Sequence, residues 1–83
     1  MAHGGMKLFF VYLHNNTDER DDEVVKVRAR TKNRALAVVE PQTRENFTVG
    51  SVMTGKGLKR FDAEWHALLW GQKPQYEERE HDR

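Results

Sequence analysis

Residues Lys7 to Leu13 are apolar on both alternating sets: Phe9, Val11 and Leu13 on one, Leu8, Phe10 and Tyr12 on the other. Strand side chains point to opposite faces with a period of two. A strand here must therefore be covered on both faces, by the rest of the chain or by a partner, and belongs at the centre of a sheet. Cover is scarce in a chain of 83 residues. A domain of that size buries only about 60–65% of its unfolded surface, so two or three elements must share one core and dimerisation is a natural supplement. The chain has no cysteine to staple that core, which fits a reducing, cytoplasmic setting. His3, His14, His66 and His81 are scattered and lack ligand spacing, so neither a structural metal nor a cofactor is expected.

Glu23 to Arg30 alternates cleanly, with Val25, Val27 and Ala29 on one face and Lys26, Arg28 and Arg30 on the other. The spacing predicts a strand whose three cations stand in a row. His14 to Asp22, rich in Asn and Asp, predicts a turn in a solvated hairpin loop. Thr31 to Glu40 predicts a short helix, capped by Thr31 or Asn33, with Leu36 and Val39 on one side, Ala35 and Val38 beside them, and Pro41 at its end. Arg34 stands where a capping box has its acid, against the helix dipole, either wanted for binding or tolerated. Asn46 to Met53 predicts a third strand, with Gly50 marking a bulge or a close backbone approach. Thr54 to Arg60 reads as a flexible basic loop. A last helix, Ala63 to Trp70, follows a capping Asp62 and stops at Gly71, with Phe61, Trp65, Leu68 and Leu69 on one stripe.

The expected fold is α+β: a small antiparallel sheet of about three strands, order β-β-α-β-α, with two helices packed on one face. Val25, Val27, Leu36, Val39, Val49, Phe61, Trp65 and Leu69 should share its core. Residues 1–5 read as a leader or cloning scar, 6–72 as the single domain and 73–83 as a polar, flexible tail. No apolar run approaches the ~20 residues that a membrane helix needs.

The net charge of +1 conceals segregation: −3 over residues 1–23, +7 over 24–60 and −3 over 61–83. A basic middle of this kind creates a local field, unless the acidic ends fold back and neutralise it. Catalytic readings are thin. Gly55-Lys56-Gly57 is followed by Leu58 rather than Ser or Thr, so the phosphate-loop signature is incomplete. Asp62 and His66, four apart, could pair, yet a capping Asp near a surface His is ordinary. No serine has a visible partner base, and an enzyme is not expected.

From Val24 to Val52 the order of elements resembles that of small phage-encoded host-takeover proteins: a strand, then Thr31 opening an alanine-bearing helix with Ala35, Ala37 and Glu40, then a strand with Phe47, Val49 and Val52. The resemblance implies a short accessory protein that acts by binding. It carries no functional residues over.

The expected function is thus a non-enzymatic interaction module. Lys26, Arg28, Arg30, Lys32 and Arg34, with Lys56, Lys59 and Arg60, would meet an acidic protein surface, and Trp70 is either core packing or an exposed anchor. A nucleic-acid-binding protein is the alternative, since spaced cations can neutralise phosphates. Base stacking by Phe10 and Tyr12 would require their sheet face to be open. A structural subunit or homodimer with a solvated basic face is the third reading.

Overall fold

The computed structural model describes residues 5–79. Residues 1–4 of the expected leader and 80–83 of the expected tail lie outside the described residues. The elements are strands β1 (Lys7–Asn15) and β2 (Glu23–Ala29), helix α1 (Lys32–Val39), strand β3 (Phe47–Met53), helices α2 (Gly55–Phe61) and α3 (Ala63–Trp70) and a short strand β4 (Tyr76–Glu77). The sheet runs β3-β1-β2-β4. β1 is antiparallel to both neighbours, pairing Phe9 with Val27 and Val11 with Val25 on one side and Leu13 with Val49 on the other. β4 is parallel to β2, with Tyr76 opposite Val27.

The two apolar faces of β1 explain this arrangement. Phe9, Val11 and Leu13 join Val25, Val27, Ala29 and Phe47 beneath Ala35 and Val39 of α1. On the other face Phe10 and Val24 join Leu58 of α2 and Leu69 of α3, with Leu8, Tyr12, Met53 and Trp65 packed around them. The expected α+β class holds, with one more helix and one more strand. The expectation that both helices share one face, over a single core, is corrected. A one-sided sheet would leave Phe10 in water, whereas burying such a side chain contributes about 1.5–3 kcal/mol. Phe61, expected in the core, points outward and is 54% exposed.

The basic segment read as a flexible loop is α2. Thr54 caps it, its hydroxyl accepting from the Gly57 amide at 3.2 Å. Leu58, fully buried, anchors it to the sheet. Asp62 ends α2 through its own amide, which donates to the Leu58 carbonyl at 2.7 Å. Its carboxylate then caps α3, accepting from the amides of Glu64 and Trp65 at 3.0 and 3.1 Å. The glycines that argue against a helix have one packing reason between them: a Cβ on Gly55 would lie 3.0 Å from the Trp70 ring. Thr31 caps α1 as expected, accepting from the Arg34 amide. Gly50 sits where the β1–β3 register shifts, and a Cβ there would lie 3.0 Å from the Tyr12 ring and 3.3 Å from its carbonyl oxygen.

Truncating Phe10, fully buried between β1 and the α2–α3 pair, should therefore be severe. Phe10→Ala is expected to cost about 3–5 kcal/mol in urea denaturation, a large part of a small domain's whole stability.

Candidate functional site

The basic row of β2 divides into three environments. Lys26 is only 4% exposed, so its expected place on an open binding face is corrected. It shares the side of β2 that α3 covers. Its ammonium donates to the carbonyls of Leu69, Trp70 and Gln72 at 3.1, 2.8 and 2.6 Å. These are the groups that a helix leaves unsatisfied at its C-terminus, where a cation also complements the dipole. Trp70 closes over the site, its ring centroid 5.6 Å from the ammonium, within cation–π range.

Arg28, Arg30 and Arg34 lie further along, and the acidic tail has reached them. Arg28 is 3.5 Å from Glu77. Glu78 takes Arg34 at 2.7 Å, Arg30 at 3.6 Å and the Arg30 amide at 2.9 Å, and its side chain is 8% exposed. Burial works to raise the Glu78 pKa, but the Arg30 amide and the Arg34 guanidinium outweigh it and hold the carboxyl below its ordinary value. Residues 75–78 thus pair with the β2 edge, within the stretch expected to be a polar, flexible tail. Sequence reasoning missed Gln75, Glu77 and Glu78 as partners of the basic row. The signal was Tyr76, the one apolar residue there, followed by a pair of acids.

The remaining candidates are the exposed cations Lys32 at the start of α1 and Lys56, Lys59 and Arg60 on α2. None of the four has an ion pair among the described residues. Exposed large apolar residues lie on the same pair of helices: Phe61 (54%), directly after Lys59 and Arg60, and Leu68 (61%) and Trp70 (52%) on α3, the Trp70 ring lying against Gly55 beside Lys56. Phe61 stacks on Trp65 with ring centroids 6.2 Å apart, and Tyr12 meets both edge-on. A shallow hollow of about 250 Å³ lies between Asp62, Glu64, Trp65 and Leu68. α3 is apolar outward as well as inward: Leu69 is buried, while Ala63, Ala67 and Leu68 face solvent. Trp70 is both things at once, resting on Phe10 and His66 on one side and open on the other. The face holding Phe10 and Tyr12 is covered by α2 and α3, so those rings cannot serve as a stacking platform.

The acidic loop before β2 spends its carboxylates locally. Asp22 accepts from the Tyr12 hydroxyl and from the Asn15 amide at 2.7 Å, with His14 Nδ1 at 3.2 Å. The Tyr12 hydroxyl, then the Asn15 amide, hold its pKa down. Asp18 pairs with Arg20 at 3.1 Å. Asp62 and His66 make no side-chain pair, since the Asp62 carboxylate is a cap and the His66 ring stacks on Trp70 at 5.1 Å. Among the described residues no group of three or more His, Asp or Glu is placed to hold a metal ion, and no helix is long and apolar enough to cross a membrane.

Two measurements check these assignments. Lys26→Met removes the ammonium donor from the Trp70 and Gln72 carbonyls, while the Leu69 carbonyl keeps the Gln72 amide at 3.1 Å, and should cost about 2–4 kcal/mol; Lys32→Met, at an exposed position, should cost under about 1 kcal/mol. Because the folded pKa of Glu78 lies below its unfolded value, its contribution is complete above the ordinary carboxylate range and fades as pH falls through the folded value. The protection factor of the Glu78 amide should fall as pH drops below the ordinary carboxylate range, before that of the Phe10 amide does, and Glu78→Gln should remove that pH dependence.

No family model, curated protein or solved structure matches this chain.

Proposed function

We propose that this chain is a non-enzymatic interaction module that binds an acidic protein surface through the outer face of α2 and α3. The observation that carries the reading is that the paired helices α2 and α3 expose Phe61, Leu68 and Trp70 together with Lys56, Lys59 and Arg60, which have no ion pair among the described residues. Exposed large apolar side chains concentrated on one pair of elements mark interaction sites on small proteins. Aromatic residues there act as anchors, and neighbouring cations select and orient an acidic partner. This moves the binding surface from the basic strand to α2. A short accessory protein that works by binding, as the resemblance to phage host-takeover proteins implies, is compatible with it.

A nucleic-acid reading draws on the same rings and cations, since exposed aromatics beside lysines can stack bases. Against it, Trp65 occupies one face of the Phe61 ring and His66 stacks on Trp70. Glu64 on the same outer face would repel phosphate. A homodimer through α3 is the remaining alternative and is separable by sedimentation.

Lys59→Glu combined with Arg60→Glu should leave the melting curve nearly unchanged, since exposed charges contribute less than about 1 kcal/mol each. The same pair should abolish capture of a nuclease-resistant, acidic protein partner, and Leu68→Ser alone should weaken it. Tight binding of the wild-type chain to random single-stranded nucleic acid, with a steep log–log salt slope, would instead establish the nucleic-acid reading. Concentration-dependent dimerisation abolished by Leu68→Ser would establish the homodimer.

A further inference from the structure

The outer edge of β2, with the start of α1, holds a strand of its own chain by contacts that any strand of the same chemistry could make. Gln75 N donates to the Lys26 carbonyl and Glu78 N to the Arg28 carbonyl, each at 2.8 Å. Two further edge amides are met by side chains instead: Lys26 N by Gln75 Oε1 at 3.0 Å and Arg30 N by Glu78 Oε1 at 2.9 Å. The side chains then sort by face. Tyr76, opposite Val27, packs against the core beneath α1, while Glu77 and Glu78 take Arg28, Arg30 and Arg34.

This hold is incomplete at its N-terminal end. The paired register covers only Val27 and Arg28. By the alternation that turns the peptide groups of Lys26 and Arg28 outward, Val24 turns its own toward the same edge, where no residue of β4 reaches it. Alongside lies a hollow of about 300 Å³ over Val25 and Val39, walled by Gln75 and Tyr76 and lined also by the polar Glu23, Gln42, Thr43 and Arg44. Pro74 immediately precedes the hydrogen-bonded stretch and lies outside the paired register, which ends at Val27 and Tyr76. Proline offers no amide to the ladder, and the chain must already turn here to come from the end of α3. The hollow beside it therefore stays open. A strand that arrives from elsewhere has no such constraint.

We infer that the β2 edge is a docking groove for an extended, acidic segment of another protein, added parallel to β2, with residues 75–78 as its displaceable internal occupant. The preferred segment carries an apolar residue two places before an aromatic one, with two acids directly after it. The apolar residue fills the hollow over Val25. The aromatic takes the place of Tyr76. The acids take Arg28 and the Arg30–Arg34 pair. Main-chain pairing supplies affinity and alternate side chains supply selectivity, as in other strand-addition modes. Charge complementarity names the partner: three guanidinium groups converge on two carboxylates. A two-residue strand is also a weak incumbent, because few bonds offset the entropy of ordering it, so it belongs to the part of the fold that opens first. This surface is separate from the α2–α3 face, and either can fail without the other.

The test uses the full chain, isotopically labelled for amide spectra, and a synthetic peptide of residues 73–79 carrying Pro74→Val. Titration of the wild-type chain should shift amides from Val24 to Arg34 and remove the exchange protection of Gln75 and Glu78. A peptide with both glutamates replaced by lysine should do neither. Full-length Glu77→Lys/Glu78→Lys, its own strand no longer competing at high effective concentration, should bind the first peptide at least about tenfold more tightly than the wild type does. Absence of shifts along β2 at millimolar peptide overturns the proposal, as does an equal response to the lysine peptide. If the double variant does not fold, the wild-type titration decides alone. Dimerisation of the wild-type chain by exchange of residues 75–78, seen in sedimentation at micromolar concentration, would make a second copy the occupant and overturn the assignment to another protein.

Discussion

A single ammonium group fixes how the second half of the chain meets the first. Lys26 is carried under α3 by β2, and its charge costs several kcal/mol to bring out of water. The carbonyls of Leu69, Trp70 and Gln72 offset that cost, and they are themselves groups that need a donor. The two deficits cancel only if the end of α3 lies directly over Lys26. That position then sets the path of the chain beyond the helix. Gln72 is held against β2, and the chain has only Lys73 and Pro74 before Gln75 pairs with the Lys26 main chain. The edge strand β4, and through it the neutralisation of Arg28, Arg30 and Arg34, depends on where one helix ends.

The segregated charge resolves unevenly as a result. The C-terminal acids cross over to the basic strand and the start of α1. The N-terminal acids mostly do not. Asp18 and Asp22 serve their own loop, and only Glu23 reaches out, to Arg44 at 3.2 Å. The basic character of the middle is thus reduced at the strand and left largely intact on α2. Its most regular sequence pattern and its most available cations are different residues.

Several features were legible because they depend on local rules. The two-faced strand, the Thr31 and Asp62 caps and the close approach at Gly50 each stem from side-chain direction or backbone sterics. The class of the fold was legible for the same reason. What failed shares one cause. Alternation in Glu23 to Arg30 identifies two faces, but not what lies over the second, so a lysine at Lys26 read as surface when a helix terminus covers it. Gly55 and Gly57 lower helix propensity, yet the burial of Leu58 and the ring of Trp70 against Gly55 outweigh it. Low apolar content argued against order after Gly71. The order there rests on the β2 edge amides of Lys26 and Arg30 donating to the side chains of Gln75 and Glu78, and on the Gln75 and Glu78 amides donating to edge carbonyls, for which composition gives no sign.

The bulge at Gly50 links distant parts of this design by volume alone. The Tyr12 ring lies against the Gly50 backbone, edge-on to the stacked rings of Phe61 and Trp65, while its hydroxyl holds Asp22 and so the loop that leads into β2. A methyl group at position 50 would need the space that the phenol ring fills. Residues 12 and 50 therefore form a complementary size pair: a side chain at 50 would crowd both the Tyr12 ring at 3.0 Å and its carbonyl oxygen at 3.3 Å, and a smaller residue at 12 would relieve the first of these contacts. The large member of that pair in this chain supports both an aromatic helix face and an acidic turn, and the glycine across the sheet is the condition for both.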